Sequence, residues 1–192
     1  MKYLSGTSLF SKRNSMVPLP TTLNIVHEEF KLFLKTYLVG NVKNNFNRLK
    51  LIKNDSVINL GVISFSRQLE NSIYENSIDY FFSIKELSKE VENYKIRLDR
   101  WHELGFIMIG HFEMFDSILL GISENNYGQI WKYGDFLTLE PLIKLYDSFM
   151  DFIDAQTESL ISDDDLQYFG IKLEKLIKRS DRLYEYPNSV DS

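Results

Sequence analysis

The stretch 105–133 constrains the fold more than any other part of the chain. It holds three short apolar runs separated by connections too short for a crossover. Phe106-Ile107-Met108-Ile109 is closed by Gly110, and Ser117-Ile118-Leu119-Leu120-Gly121-Ile122 is a second run. Glu124-Asn125-Asn126-Tyr127-Gly128 reads as a turn, and Gln129-Ile130-Trp131-Lys132-Tyr133 as a strand alternating polar and apolar residues. Strands joined by so few residues must run antiparallel, because a parallel partner needs a crossover of a dozen or more residues. The first two runs are apolar almost throughout, which predicts burial on both faces and helices lying over the sheet.

The flanking sequence supplies those helices. Val17-Pro18-Leu19-Pro20 is an extended lead-in, since proline pushes its predecessor out of the helical region. Thr21 or Thr22 then caps a helix expected over about 24–39, with Val26, Phe30, Phe33, Leu34 and Tyr37 at helical spacing and Gly40-Asn41 as the stop. Residues 48–53 and 57–65 read as strands with Asn54-Asp55-Ser56 turning between them. Ser83 and Glu86 have capping-box spacing, which starts a helix expected to reach about 99. Leu142, Leu145, Tyr146, Phe149, Phe152 and Ile153 mark one face of a helix expected over about 140–159. A last helix is expected after Ser162, with Asp163, Asp164 and Asp165 in its first turn and Lys175, Lys178 and Arg179 further on. Disorder is expected from Tyr186. The fold class is therefore α+β, a largely antiparallel sheet flanked by helices.

With 14 Phe and 11 Tyr and a 44% hydrophobic fraction, a chain of 192 residues can bury a sizeable core. The absence of cysteine excludes disulfides, thiolate metal sites and cysteine nucleophiles. No window approaches a membrane-spanning apolar run, and Ser5 to Ser8 interrupt any signal-peptide core, so a cytoplasmic address is expected. The net charge of −5 is divided unevenly. Residues 1–60 carry nine basic and three acidic residues, and residues 61–192 carry 13 basic and 24 acidic. Within 113–165, 12 acidic residues face only Lys132 and Lys144. Such a surface repels nucleic acid and steers basic partners. Its plainer reading is a solvated, solubilising face.

Catalytic signatures are missing. His27, His102 and His111 form no metal-binding spacing, and the Asp163-Asp164-Asp165 run lacks the alternating ligands, the central glycine and the terminal glutamate of a calcium loop. There is no nucleophile elbow and no phosphate-binding glycine loop, so no metal and no cofactor is expected. Glu113 and Asp116 flank a loop and could pair as acid and base. That leaves a small carboxylate enzyme as a distant third reading. The glycines at 105, 110, 121, 128 and 134 sit at expected strand ends, where turns and bulges account for them.

The series Gly105 to Gly110, a short acidic loop, Ser117 to Ile122, Asn126 to Tyr133 and then Asp135 resembles the core of the SUKH superfamily of bacterial immunity proteins and fungal Smi/Knr-type cell-wall regulators. Phe82 to Leu87 resembles the segment ahead of that core, 140–159 its closing helix, and Leu19-Pro20 with Phe30 to Leu34 its early motif. The chain departs from the pattern at His111, where an acidic or amide residue is common, and at Gly40-Asn41, which stands for a fuller asparagine-glycine-glycine. The resemblance sets an N-terminal extension over 1–18, a SUKH-like domain over 19–159 and a C-terminal helix and tail over 160–192. It implies an immunity protein that neutralises a toxin, a nuclease or deaminase, by tight stoichiometric binding without turnover. The alternative is a regulatory scaffold of the same fold that binds a host protein. The expected partner is a basic toxin domain, with Glu113, Asp116, Glu124 and Asp135 as charge contacts and Tyr127 and Trp131 as aromatic anchors. Burial in the core is the competing reading for Trp131.

Overall fold

The computed structural model describes residues 9–40, 48–70, 72–113, 116–134 and 142–187. In chain order the elements are α1 (Glu28–Thr36), β1 (Lys50–Lys53), β2 (Ser56–Asn59), β3 (Gly61–Leu69), β4 (Ser72–Phe81), α2 (Ile84–Lys95), α3 (Arg100–Glu103), β5 (Phe106–Phe112), β6 (Ser117–Gly121), β7 (Ile130–Tyr133), β8 (Leu142–Tyr146), α4 (Phe149–Asp154), β9 (Thr157–Leu160), α5 (Asp163–Tyr168), β10 (Ile177–Ser180) and β11 (Leu183–Glu185). Seven strands form one sheet in the order β8-β7-β6-β5-β4-β3-β9, with every pair antiparallel. The meander read from 105–133 is its centre, and the α+β class follows.

Strand register explains the core. Ile107 lies opposite Leu120, Leu120 opposite Ile130, and Ile130 opposite Tyr146, so these four share one face. Helix α4 covers that face: the Phe152 ring lies 5.5 Å from Tyr146 and 5.3 Å from Phe65. Helix α1 packs beside it, with Phe30 and Phe33 at 4.7 and 5.1 Å from Phe149. Most of these rings meet edge to face or tilted, an arrangement worth about 0.5–1.5 kcal/mol per pair beyond burial itself. Leu9 and Phe10, from the segment read as an N-terminal extension, are buried in the same core, and Phe10 lies 4.8 Å from Phe33.

Helix α2 starts as its capping box predicts, with Ser83 Oγ accepting from the Glu86 amide (3.2 Å) and Glu86 Oε2 accepting from the Ser83 amide (2.6 Å). It ends at 95, short of 99, where Arg97 adopts φ 52°. The Arg97 and Leu98 amides donate back to Tyr94 and Asn93 carbonyls, a Schellman closure that terminates the helix.

The sequence expectation of a helix over 140–159 does not hold. Residues 142–146 form β8 on the edge of the sheet, Ser148 caps the six-residue α4, and 157–160 form β9 at the opposite edge. Apolar residues at 142, 145, 146, 149, 152 and 153 fit a helical stripe, but the same spacing is produced by a strand followed by a short helix. Helix α5 is likewise short, closed by Gly170 at φ 62°. Lys178 and Arg179 therefore sit on β10 and not on a helix. Of the segment expected to be disordered, Tyr186 donates its amide to the Ile52 carbonyl at 2.9 Å, and 188–192 lie outside the described residues.

A second sheet follows the order β10-β11-β1-β2, with β1 and β11 parallel and the other pairs antiparallel. The expected strand over 57–65 is divided at Leu60, its first half in this sheet and its second half in the large one. Among the described residues, the buried core of the small sheet is Leu51, Leu60, Leu166 and Ile171. A polar joint links the sheets. Glu158 on β9 accepts from the Leu49 amide (2.9 Å) and from Arg182 Nη2 (2.5 Å). Gly61 makes the joint possible, because a Cβ there would lie 2.1 Å from Glu158 Oε1.

Candidate partner-binding surface

The turn between β6 and β7 is closely built. Asn126, 7% exposed, accepts at Oδ1 from the Ser123 amide (3.0 Å) and hydroxyl (2.9 Å) and donates from Nδ2 to the Leu104 carbonyl (3.1 Å). Two glycines let the turn close on its neighbours. A Cβ on Gly121 would lie 1.9 Å from the Asn126 carbonyl oxygen, and Gly105 holds φ 80° with Ser123 against it. The turn presents Glu124, which is exposed, and Tyr127, 47% exposed. The Tyr127 ring lies 4.9 Å from His27, whose Nδ1 accepts from the Glu29 amide and caps α1.

Trp131 sits at the start of β7. It is half-buried, its ring 5.4 Å from Phe106 and its Nε1 donating to Gln129 Oε1 at 3.1 Å. By register Trp131 shares a sheet face with Leu119 and Met108, opposite the face that α4 covers. Tyr133, two residues on, meets Trp101 of α3 at 5.6 Å. Glu124, Tyr127 and Trp131 therefore gather near one end of β6, next to the half-exposed Leu104.

Glu113 and Asp116 stand at the other end. The five residues of β6 separate the two ends by about 13 Å at the usual rise of a strand. The Asp116 carboxylate is in an ion pair with Lys132 Nζ at 2.5 Å, with side chains 15% and 11% exposed. Burial works against the charge on Lys132, but hydrogen bonds to Asp116 and Tyr74 outweigh it and hold its pKa above that of an ordinary lysine. Glu113 is exposed and acts on the half-buried Arg48. The carboxylates at 113 and 116 therefore differ in kind: one faces solvent and the other is already neutralised. Asp135 lies outside the described residues.

One buried polar cluster was not singled out from sequence. Glu90, 5% exposed, accepts at a single oxygen from Trp101 Nε1 (3.1 Å), His102 Nε2 (2.9 Å) and the Met108 amide (2.9 Å). Strand β4 leaves β5 at Phe81 and Phe82, so Met108 has no strand partner on that side and Glu90 supplies the acceptor. The Asp99 amide donates to His102 Nδ1 at 3.0 Å, which places the proton of the neutral ring on Nε2. Glu90, Asp99 and His102 offer ligand atoms within 4.8 Å of one another. Both ring nitrogens and the shared Glu90 oxygen are engaged by these hydrogen bonds, which makes the cluster a brace tying α2, α3 and β5 together. Its trace in the sequence is Glu90 on the apolar stripe of α2, between Leu87 and Val91.

No described helix is long and apolar enough to cross a membrane. Compared with known proteins, the chain matches the SMI1 / KNR4 family (SUKH-1) over residues 23–155, well over half its length. No curated protein and no solved structure matches it.

Proposed function

The chain belongs to the SMI1 / KNR4 family (SUKH-1), and from that premise we propose that it is an immunity protein that neutralises a toxin by stoichiometric binding, without turnover. The observation that supports this reading is the braced β6–β7 turn. It holds a carboxylate and a half-exposed tyrosine ahead of any encounter, beside the half-buried Trp131 and the half-exposed Leu104. An aromatic anchor on a pre-ordered loop costs little entropy to dock, and a carboxylate beside it speeds encounter with a basic partner. The acidic balance of 113–165 points to the same partner chemistry, a cationic nuclease or deaminase domain. Glu124, Tyr127 and Trp131 form the contact end. Glu113 contributes long-range attraction from the far end, and Asp116 keeps a structural role through Lys132.

The test is purification of a tagged full-length chain from its own cells, with identification of whatever co-purifies at near-equal amounts. A basic toxin domain is the expected partner. Tyr127→Ala should then weaken the complex by at least tenfold, measured by calorimetry, and Glu124→Gln should lower its association rate and salt dependence. A housekeeping or cell-envelope protein in place of a toxin would favour the regulatory scaffold. Turnover by the chain that Asp116→Asn abolishes would move the reading to the carboxylate enzyme.

A further inference from the structure

The closure of α2 leaves an apolar and cationic knob. Ile96 and Leu98 are 72% and 61% exposed on either side of Arg97. A Schellman turn commonly packs the residue in Leu98's place back on the helix, yet here it is open to solvent. Lys95, Arg97 and Arg100 are exposed as well, and none forms an ion pair among the described residues.

Helix α5 carries the complementary chemistry. Tyr168 is 86% exposed and Phe169 41%, their rings edge-on at 5.3 Å. Asp163 and Asp164 are exposed beside them and likewise form no ion pair among the described residues. Both patches are uncovered in the single chain, so neither satisfies the other within it. Each combines exposed apolar surface with unpaired charge, the two charges have opposite sign, and a guanidinium over a tyrosine face adds cation–π attraction.

We infer that these patches bind each other between copies, the 95–100 knob of one chain seating on α5 of the next. The contact is heterologous, so it propagates head to tail and each chain can hold two neighbours. It uses neither Glu124 nor Tyr127 and stands independently of the toxin reading.

The experiment is sedimentation of the full-length chain across a concentration series at low salt, with two variants. Arg97→Gly with Arg100→Ser removes both of the knob's guanidinium groups, two of its three cations, while placing glycine in a left-handed position that suits it, so the fold is kept. Asp163→Asn with Asp164→Asn removes the charge of α5 and leaves the capping Ser162–Asp165 pair intact. The native chain should rise above its 22.6 kDa mass with concentration and fall back at high salt. Each variant alone should associate at least fivefold more weakly. An equimolar mixture should stop at a one-to-one dimer, because only one intact knob and one intact α5 can meet. A native chain that stays monomeric throughout, association indifferent to both variants, or a mixture no different from its components would overturn the inference.

Discussion

The two sheets are held in opposite ways. The large sheet buries a continuous apolar cluster in which Phe30, Phe33, Phe65, Phe81, Phe112, Phe149 and Phe152 meet ring against ring. Among the described residues, the small sheet buries four aliphatic side chains and leaves every residue of β10 exposed. What the small sheet lacks in burial it partly recovers through polar ties to its neighbour. Glu158 binds Leu49 and Arg182, and Arg48 donates to the carbonyls of Ile78 and Asp79. The lesson is that dispersion and area stabilise the first unit, while directional bonds at one seam stabilise the second. The units should therefore fail separately.

Removing a central ring tests the first half of that contrast. Phe152→Ala should cost about 3–5 kcal/mol, the usual penalty for an aromatic cavity. Urea unfolding followed by circular dichroism should show a lower midpoint, and amides in β5, β6 and β7 should lose hydrogen-exchange protection together. Leu51→Ala should cost roughly 2–3 kcal/mol but act locally. Protection should fall in β1, β2 and β11 while β5 and β6 keep theirs; a uniform loss would mean that the two units unfold as one.

The seam itself is sharpened by a double-mutant cycle. Glu158→Ala leaves the Leu49 amide and Arg182 without their acceptor and should cost about 1–3 kcal/mol. Gly61→Ala should cost a similar amount, since its Cβ would displace the Glu158 carboxylate. The two together should cost little more than either alone, as expected for residues acting through one contact. Additive losses would show that Gly61 matters for some other reason.

The smallest effect is set by pH. Burial raises the Tyr146 phenol, and hydrogen bonds to Asp116 and Tyr74 raise Lys132, both within the large sheet. A group whose folded pKa lies above its unfolded value contributes stability below the unfolded pKa and loses it as pH rises through the folded one. The large sheet should therefore weaken as pH passes about 10, where unfolded tyrosine and lysine titrate. Exchange protection in β6 and β7 is the measurement, and protection that improves with alkali would contradict it.

Much of this was legible in the sequence, and the part that was not has physical causes. The capping box at Ser83 and Glu86, the turn at Asn54 and Asp55 and the 105–133 meander are local signals, each complete within a few residues. Strand β4 was harder to read, because its exposed face carries Ile73 among Glu75 and Asp79 while Asn76 and Ser77 sit half-buried. The helical stripe over 140–159 does not reveal the break at Ser148, because a strand, a cap and a short helix reproduce the same spacing. The site divided similarly. Turn residues Glu124 and Tyr127 are displayed as their local sequence implies. The ion pair of Asp116 with Lys132 and the reach of Glu158 over Gly61 depend on strand pairings that no local window contains.

The parallel pairing of β1 with β11 also sets a schedule. During synthesis β1 emerges early, yet its partner lies about 130 residues downstream and arrives on the order of ten seconds later at ordinary translation rates. Until then Leu51 and Ile52 wait on an open edge of the nascent chain. Strands β3 to β8 of the large sheet are all made before β10 and β11, so the small sheet completes its pairing after most of the large one.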